Sequence, residues 1–223
     1  ITRRGLLPLI NQTVSKVVIR NANMRWPIPA HLPQTLQNQQ LVGLMRRAKY
    51  ILAEFFDAST AANSGTLLLH LGMSGRITLL DRNYPPEKHD HFDIAFEDGR
   101  VLRLRDPRRF GAVLWAGRTP SEHALLAPLG PEPLDDVFNA KYLHSQLKTR
   151  SVAIKVAIMD SHLVVGVGNI YASESLFRAR IHPETPAKNL SLKQCEKLVA
   201  EIKTTLNAAL DAGGSSLSDY VGF

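Results

Sequence analysis

The chain has 223 residues, of which 44% are hydrophobic, a proportion that supports a packed core in one large or two modest domains and excludes wholesale disorder. Its single cysteine, Cys195, excludes an internal disulfide and a multi-cysteine metal site, and no apolar run reaches the roughly 18 residues of a membrane span, so we expect a reduced, intracellular protein. The net charge of +7 arises in residues 1–120, where 17 Lys and Arg face 9 Asp and Glu, an asymmetry typical of proteins that bind a polyanion such as nucleic acid.

Residues 1–120 predict mainly β-structure. Residues 1–10 predict the end of a helix, and the rest holds eight short segments rich in branched or aromatic residues and separated by turn signals. Asp98-Gly99 lies between two of these segments and predicts a tight hairpin. Eight strands without long helices between them indicate a sandwich or a barrel. The predicted strands are 14–20, 41–46, 50–56, 66–72, 76–80, 91–97, 100–105 and 111–115.

After residue 120 the spacing of apolar residues becomes helical. The strongest pattern is at the end, where Ser191 and Gln194 form a capping box before a long apolar stripe that stops at Gly213-Gly214. The proline-rich segment 126–134 (LAPLGPEPL) predicts a link between a basic β domain and a helical domain. The predicted helical segments are 121–126, 136–147, 152–159, 169–179 and 191–212.

The segment 106–111 (DPRRFG) follows an arginine-rich strand and combines guanidinium groups with an aromatic ring. Arg108 and Arg109 could bind phosphates or an unpaired base, and Phe110 could act as a wedge between stacked bases. The structural alternative is a buried Phe110 that closes one end of the β domain, beside solvated arginines.

Two further segments carry candidate chemistry. In 165–171 (VGVGNIY) two glycines and Asn169 open a helix, which suits either a phosphate site or a tight corner between helices. Lys49 precedes an apolar strand, where desolvation would lower its pKa and equip it for proton transfer. His89 could contact phosphate, or could ligate a metal with His91, although no third ligand is evident. A hydrated surface remains the alternative for all of these side chains.

Five segments in this order together resemble bacterial formamidopyrimidine-DNA glycosylases, which are 8-oxoguanine DNA glycosylases and AP lyases. The resemblance implies an α+β fold, in which an eight-stranded β-sandwich precedes a helix–two-turn–helix domain. It further implies a base-excision repair enzyme that flips out and removes oxidised purines (8-oxoguanine and formamidopyrimidines) and nicks the abasic site by β/δ-elimination. The matching segments are 71–76, 88–91, 106–111, 163–174 and 213–220.

The resemblance assigns roles to individual positions. Met73, Arg108 and Phe110, which we call the wedge cluster, match the three side chains that fill the gap left by the flipped nucleotide. Lys49 matches the lysine given a proton-donor role in β-elimination. The positions that match DNA or phosphate contacts are His89, Arg108, Arg150, Lys155 and Asn169. Arg150 stands where many relatives carry Lys, and Lys155-Val156 stands where the family usually shows Lys-Pro.

The family's functional ends do not occur in this sequence. Its N-terminus reads Pro-Glu-Leu-Pro-Glu-Val-Glu, where the proline amine is the nucleophile and a glutamate is a general acid. Its C-terminal zinc ribbon carries four cysteines and a catalytic arginine. We therefore expect the 223-residue chain to be the middle of a longer enzyme and inactive by itself, with zinc bound only in the full-length protein, because no zinc ligands are expected within these residues.

The resulting hypothesis is a bacterial, cytoplasmic, nucleoid-associated monomer that binds double-stranded DNA containing oxidised purines or abasic sites, and no membrane. Residues 1–120 form the β-sandwich catalytic domain, 121–134 the linker region and 135–223 the helix–two-turn–helix DNA-binding domain. Two alternatives stay open: the pyrimidine-specific endonuclease of the same superfamily, and a non-catalytic DNA-damage-binding protein. Segments 106–111 and 213–220 favour the purine branch.

Overall fold

The chain forms two compact units, one spanning Thr2–Ala127 and the other beginning at Pro128. The structure is a computed structural model that describes residues 2–213, so the part of the matching segment 213–220 beyond residue 213 lies outside the described residues. The division between the units falls within residues 121–134. The α+β class predicted from the sequence is confirmed, with the strands in the first unit and the longer helices in the second.

The first unit contains two four-stranded antiparallel sheets. Their strand orders are β1-β6-β7-β5 and β2-β3-β4-β8, and every neighbouring pair runs antiparallel. All eight strands predicted from the sequence are present, with ends shifted by at most four residues. The strands are β1 (Val14–Ile19), β2 (Gln40–Arg47), β3 (Tyr50–Asp57), β4 (Ala62–His70), β5 (Arg76–Asp81), β6 (Asp90–Phe96), β7 (Arg100–Arg105) and β8 (Ala112–Gly117).

Inward-facing apolar side chains from both sheets form one core. Phe55 and Leu67 of one sheet belong to the same buried cluster as Phe92 and Phe96 of the other. Each such side chain contributes roughly 1.5–3 kcal/mol by leaving water, so this alternation fixes the register of the strands. The predicted hairpin joins β6 to β7, where Gly99 has φ +90° and donates its backbone N–H to the Phe96 carbonyl.

The helices confirm most of the predicted pattern and correct part of it. Residues 121–126 do not form a helix, because the chain makes one 3-10 turn at Pro120–Glu122 and then a series of tighter turns. The short helix α2 was missed, because five residues that begin at a proline turn carry no helical period. The helices are α1 (Thr2–Leu6), α2 (Leu32–Leu36), α3 (Ala140–Leu147), α4 (Ile154–Met159), α5 (Asn169–Ala179) and α6 (Leu192–Asp211).

Helix starts follow the capping chemistry of the sequence. The Asn139 side chain accepts the Tyr142 N–H, so α3 begins at Ala140 and not at residue 136. The predicted capping box of Ser191 and Gln194 starts α6, whose buried stripe packs into the core of the second unit. The two ends of the predicted stripe, Leu192 and Leu210, are exposed.

Arginines and aspartates tie the strands of the first sheet together. The Arg103 side chain of β7 donates two hydrogen bonds to the Asp93 carboxylate of β6, at 3.0 and 2.9 Å, and Arg20 donates a further one. Burial acts to raise the pKa of Asp93, but the hydrogen bonds from Arg20 and Arg103 outweigh it and keep the pKa below its ordinary value. The ionised carboxylate therefore stabilises the fold at neutral pH, and this contribution is lost as the pH falls through the depressed pKa.

Asp93→Asn is expected to lower the free energy of unfolding by about 3 kcal/mol at pH 7, because the buried Arg103 guanidinium loses its charge partner. Urea denaturation measures the loss, and Asp81→Asn on the exposed β5 is the control, with an expected change within about 0.5 kcal/mol. The difference between the unaltered protein and Asp93→Asn should shrink at acidic pH. Equal effects of the two substitutions would show that the ion pairs do not hold the sheet.

Candidate nucleic-acid interface

The three side chains of the wedge cluster lie together on the surface of the first unit. The Arg108 guanidinium is between the other two, with Nη1 3.7 Å from the Met73 sulfur and Cζ 4.7 Å from the centre of the Phe110 ring. Met73 is 77% exposed and Phe110 is 43% exposed. Phe110 therefore does not close the core, and the structural alternative for this residue is wrong. The cluster presents an apolar thioether and an aromatic ring around one cation, a combination that can stack against bases.

The wedge cluster lies on two loops whose backbones are in close contact. Gly72 has φ +59°, and a Cβ at this position would lie 2.6 Å from the Phe110 carbonyl carbon. The imidazole of His70 accepts the Gly72 N–H at 3.0 Å, and the Gly75 N–H donates to the Leu71 carbonyl at 2.8 Å. Glycine is required at 72 by both conformation and space, so loop 72–75 and loop 107–111 are positioned as one surface.

A buried carboxylate connects the same two loops. Asp106 is 0% exposed, and its two oxygens accept hydrogen bonds from the Ser74 hydroxyl at 2.6 Å and the Gly111 N–H at 2.8 Å. The Ser74 oxygen in turn accepts the Arg108 N–H at 3.2 Å. The sequence analysis noted no role for Asp106, since its partners are 32 and 5 residues away and no local pattern connects them.

The two histidines of segment 88–91 have different environments. His91 is buried, and its Nε2 donates to the Asp106 carbonyl at 2.9 Å, so this ring has a structural partner. His89 is half-buried, has φ +73° and accepts the Asp106 N–H on its carbonyl at 3.0 Å. Among residues 2–213 no group of three or more His, Cys, Asp or Glu could hold a metal ion. The metal alternative for His89 and His91 therefore has no supporting geometry.

The turn that carries His89 is supported by an ion network. Asp90, the first residue of β6, accepts the Arg105 Nε–H at 2.7 Å and the Glu87 N–H at 2.7 Å. Burial acts to raise the pKa of Asp90, but hydrogen bonds from Arg105 and from the Glu87 backbone outweigh it and lower the pKa. The carboxylate is therefore charged at neutral pH, which stabilises the 87–90 turn.

Lys49 lies in the two-residue turn between β2 and β3, with its side chain exposed. The desolvation expected from the sequence is therefore wrong, because the apolar strand begins one residue later and Lys49 points to solvent at its end. The adjacent Tyr50 ring lies 4.8 Å from the His70 ring. Burial, followed by the charges of Lys49 and Arg25, lowers the pKa of His70 despite the opposing charge of Asp106.

His70 is a site residue that the sequence analysis missed. It ends β4 directly before segment 71–76, and this position is the signal that could have identified it. Because its Nδ1 accepts the Gly72 N–H, the neutral ring carries its proton on Nε2. Burial and the nearby cations favour the neutral ring, whose Nε2–H can still donate to an anion, so His70 suits an anion-binding surface.

A loop that the sequence analysis did not consider borders the wedge cluster. The Arg25 N–H donates to the Arg109 carbonyl at 2.9 Å, and Arg109 Nη1 donates to the Asn23 carbonyl at 3.3 Å. The Arg25 guanidinium lies 4.6 Å from the centre of the Trp26 ring. Between this loop and the wedge cluster is an open cavity of about 470 Å³ whose named lining residues include three arginines and no acid. The lining residues are Asn23, Met24, Arg25, Arg108, Arg109 and Phe110.

In the second unit the predicted contact residues lie on different segments. Arg150 precedes α4 and donates to the Asp160 carboxylate at 2.6 Å, so its charge already has a partner. Lys155 is in the first turn of α4 and borders a groove of about 490 Å³ that also includes Phe177, which is 80% exposed. Asn169 is exposed at the first position of α5.

Helix α5 begins without a side-chain cap. The N-cap is Gly168, which has no side chain that could cap the helix, and Gly166 has φ +78° in the preceding turn. The Tyr142 hydroxyl donates to the Leu163 carbonyl at 2.6 Å and thereby fixes this turn to α3. The backbone N–H groups of the first turn and the helix dipole at Asn169 give a local positive potential that attracts an anion.

The described residues do not fit a zinc site. Cys195 is buried in the core of the second unit, and burial raises its pKa to about 11, which keeps the thiol protonated. A cysteine that binds zinc must be a thiolate. No helix within residues 2–213 has the length and apolar character needed to cross a membrane.

Comparisons with known proteins agree with this geometry. Residues 1–113 match the family model of the formamidopyrimidine-DNA glycosylase N-terminal domain, and residues 129–221 match that of the formamidopyrimidine-DNA glycosylase H2TH domain. The formamidopyrimidine-DNA glycosylase of Methylobacillus flagellatus is 64% identical over 222 residues, which cover 100% of this chain and 77% of that protein. The Acinetobacter baumannii protein of the same name is 52% identical over 98% of this chain and 76% of its own length.

Solved structures with the same fold contain DNA. A complex between the Lactococcus lactis Fpg and abasic-site DNA superposes with a TM-score of 0.87 at 30% identity, covering 97% of this chain and 78% of that one. A complex of the same Fpg (MutM) with FAPY-dG DNA gives a TM-score of 0.88 at 29% identity, covering 100% and 82% of the two chains. Two family models span most of this chain, and a relative is 64% identical over the whole of this chain. The chain therefore belongs to the formamidopyrimidine-DNA glycosylase family.

Proposed function

We propose that this protein is a base-excision repair enzyme that removes 8-oxoguanine and formamidopyrimidines from double-stranded DNA and nicks the resulting abasic site by β/δ-elimination. The observation that carries the proposal is the exposed wedge cluster, in which Arg108 lies between Met73 and Phe110. Membership of the glycosylase family and the damaged DNA in related complexes support it. These relatives also favour the purine-specific activity over the pyrimidine-specific alternative.

The wedge cluster suits the step in which the damaged nucleotide leaves the helix. Extrusion unstacks a base pair at a cost of a few kcal/mol, and an aromatic ring that enters the gap offsets part of this cost. Phe110 supplies the ring, Met73 supplies an adaptable apolar contact and Arg108 supplies donors for the orphaned partner base. Each residue type matches a different requirement of the same gap.

Cationic and polar groups on both units would hold the DNA backbone. His89, His70 and Arg150 can each donate to a phosphate oxygen, and the start of α5 at Asn169 adds backbone N–H groups. Arg150 must exchange or share its Asp160 partner when it binds phosphate, which moderates its contribution. We assign Lys155 to the same set on the strength of the family match. Such contacts displace counterions, so affinity for any duplex should fall steeply with salt.

The chemistry requires an amine that is unprotonated near pH 7, since attack on the sugar C1′ displaces the base and forms an iminium. An α-amine titrates near 7.7–8.0, whereas lysine titrates near 10.4. The family's N-terminal proline meets this requirement, and it does not occur within residues 1–223. The iminium then acidifies the C2′ proton, so that elimination breaks the strand, and Lys49 is the proposed proton-transfer group at this stage. Zinc would be held by cysteines that these residues do not include, and no step here depends on it.

We assign a different part of the function to each unit. Residues 1–120 would form the catalytic β-sandwich with the wedge cluster, residues 121–134 the linker, and residues 135–223 the helix–two-turn–helix domain that holds the backbone. The relatives are bacterial, so we place the proposed activity on the chromosomal DNA of a bacterial cytoplasm, with the protein acting as a monomer.

Borohydride trapping tests the proposed chemistry. The chain preceded by Pro-Glu-Leu-Pro-Glu-Val-Glu should form a covalent adduct with an 8-oxoguanine duplex, because borohydride reduces the iminium to a stable amine. The same protein should give no adduct with an undamaged duplex. Residues 1–223 alone should not be trapped, since they offer no N-terminal proline. Absence of an adduct from the extended protein would favour a non-catalytic binder, and an adduct from residues 1–223 alone would identify another amine as the nucleophile.

Phe110→Ala should slow base extrusion while leaving affinity for an undamaged duplex within a few-fold, because the ring enters the base stack only as the nucleotide leaves it. Fluorescence of 2-aminopurine beside the lesion measures extrusion. The matched control is Phe177→Ala, which removes another exposed ring from the second unit. Unfolding of Phe110→Ala, with normal extrusion by the folded fraction, would instead assign Phe110 to packing.

Lys49→Ala in the extended protein should slow strand nicking by roughly 10²–10⁴-fold, the usual contribution of a proton-transfer group. Comparing base release with strand nicking on the same duplex locates the affected step. Lys16→Ala, which removes an exposed lysine from β1, is the control for lost positive charge. Equal nicking rates for Lys49→Ala and the unaltered protein would remove Lys49 from the chemistry.

A further inference from the structure

We propose that the Asp106 carboxylate is a positioning residue that holds loop 72–75 and loop 107–111 in register, so that the wedge cluster enters the duplex as one preformed unit. This inference rests on the proposed function, because it assigns a role within the extrusion step. Asp106 does not itself reach the surface, since it is fully buried, so any effect on DNA must pass through the residues it holds.

The two carboxylate oxygens bind different loops. Oδ1 accepts the Ser74 hydroxyl at 2.6 Å, and Oδ2 accepts the Gly111 N–H at 2.8 Å. Hydrogen bonds to an ionised acceptor are shorter and roughly twice as strong as neutral ones, so this single group is an effective clamp. One end of the clamp is adjacent to Met73 in sequence and the other is adjacent to Phe110.

Ser74 extends the clamp to the third member of the wedge cluster. Its hydroxyl group donates a hydrogen bond to Asp106, and its oxygen accepts the Arg108 N–H at 3.2 Å. Met73 therefore neighbours Ser74 in the chain, Arg108 donates its backbone N–H to Ser74, and Phe110 neighbours Gly111, whose N–H donates to Asp106. A shift of either loop must break at least one of these bonds.

The backbone of Asp106 makes three further hydrogen bonds. Its carbonyl accepts the Arg109 N–H at 3.2 Å and the His91 Nε2–H at 2.9 Å, and its own N–H donates to the His89 carbonyl at 3.0 Å. Arg109 has φ +58°, a conformation that non-glycine residues adopt only when their surroundings impose it. The clamp thus orients the turn that presents Phe110 and connects it to the segment that carries His89.

Only a carboxylate satisfies both donors. Gly111 and Ser74 each direct a proton at residue 106, and an ionised Asp accepts both. In Asp106→Asn one side of the amide carries N–H groups. If these face Gly111, two donors meet, and if they face Ser74, the hydroxyl proton loses its acceptor while Ser74 still receives the Arg108 N–H. The substitution therefore disrupts the alignment of the two loops with almost no change in side-chain volume.

The test compares Asp106→Asn with Asp57→Asn in the 223-residue protein. Asp57 is a matched control, since it also accepts a serine hydroxyl at 2.6 Å and a backbone N–H, both from Ser59 in an exposed turn. In the absence of DNA, Asp106→Asn should accelerate hydrogen exchange at the amides of Arg108 and Gly111, and Asp57→Asn should not. Unchanged exchange at both amides would overturn the proposal whatever the protein does to DNA.

With DNA, Asp106→Asn should slow the 2-aminopurine extrusion signal by about 10- to 100-fold, the scale expected when a reacting arrangement is misplaced by about 1 Å. Affinity for an undamaged duplex should stay within about twofold. Because Asp106 acts through Phe110, the double substitution Asp106→Asn/Phe110→Ala should extrude little more slowly than Phe110→Ala alone. If the double variant instead shows the product of the two single fold-reductions in extrusion rate, Asp106 acts independently of the wedge cluster and the proposal is overturned.

Ser74→Ala keeps the test decisive if Asp106→Asn does not fold. It removes the hydroxyl that connects Oδ1 to Arg108 and leaves the Gly111 contact in place, so extrusion should slow by a smaller factor than for Asp106→Asn. A Ser74→Ala protein with unaltered extrusion and exchange would contradict the clamp. Failure of the unaltered protein to extrude any base would instead overturn the proposed function, and the exchange measurement would still decide the role of Asp106.

Discussion

The wedge cluster depends on a close approach of two backbones with a buried charge behind it. Gly72 leaves space for the Phe110 carbonyl, where a Cβ would come within 2.6 Å, and the Asp106 carboxylate fastens the far sides of both loops. Neither Gly72 nor Asp106 belongs to the apolar core cluster of the first unit. Packing of the core determines where β4 and β7 end. The contacts of Gly72 and Asp106 then hold the loops that follow these strands together as one surface, which can contact DNA.

The basic character of the first unit serves two purposes that the sequence does not separate. Five arginines lie between residues 100 and 109, and three of them have carboxylate partners: Arg100 with Asp98, and Arg103 and Arg105 with the aspartates of β6. These pairs connect strands and offer little to a polyanion. Arg108 and Arg109 follow the strand, lie exposed and hydrogen-bond only to uncharged groups among the contacts described above. The positive charge that residues 100–109 offer to DNA is therefore smaller than the number of arginines in this segment indicates, and it is concentrated at Arg108 and Arg109.

The sequence predicted the parts of the molecule that local chemistry decides. The eight strands follow from alternation and turn residues, and α6 follows from its capping box. Residues 121–126 were wrongly predicted as helical, because a short apolar repeat cannot outweigh the turns that follow Pro120. The five-residue helix α2 is too short to show a helical period of apolar residues.

The sequence predicted the residues of the candidate site only where they lie in a recognisable motif. Met73, Arg108 and Phe110 were proposed as a group, and the described contacts bring them together. The roles of Asp106 and His70 were missed, because they arise from partners brought close by the sheet pairing. For Lys49 the hydrated-surface alternative holds in the free protein, since this residue is exposed in the turn directly before β3.

A crystal structure of this protein with a duplex that contains a stable abasic-site analogue tests the central claim most directly. The account predicts that Met73, Arg108 and Phe110 all lie within the gap left by the extruded nucleotide, with the Phe110 ring against a neighbouring base. It also predicts that the Asp106 hydrogen bonds to Ser74 and Gly111 are unchanged from the free protein. A complex in which the duplex is bound with the wedge cluster outside the helix, or with the two loops moved apart, would contradict the account.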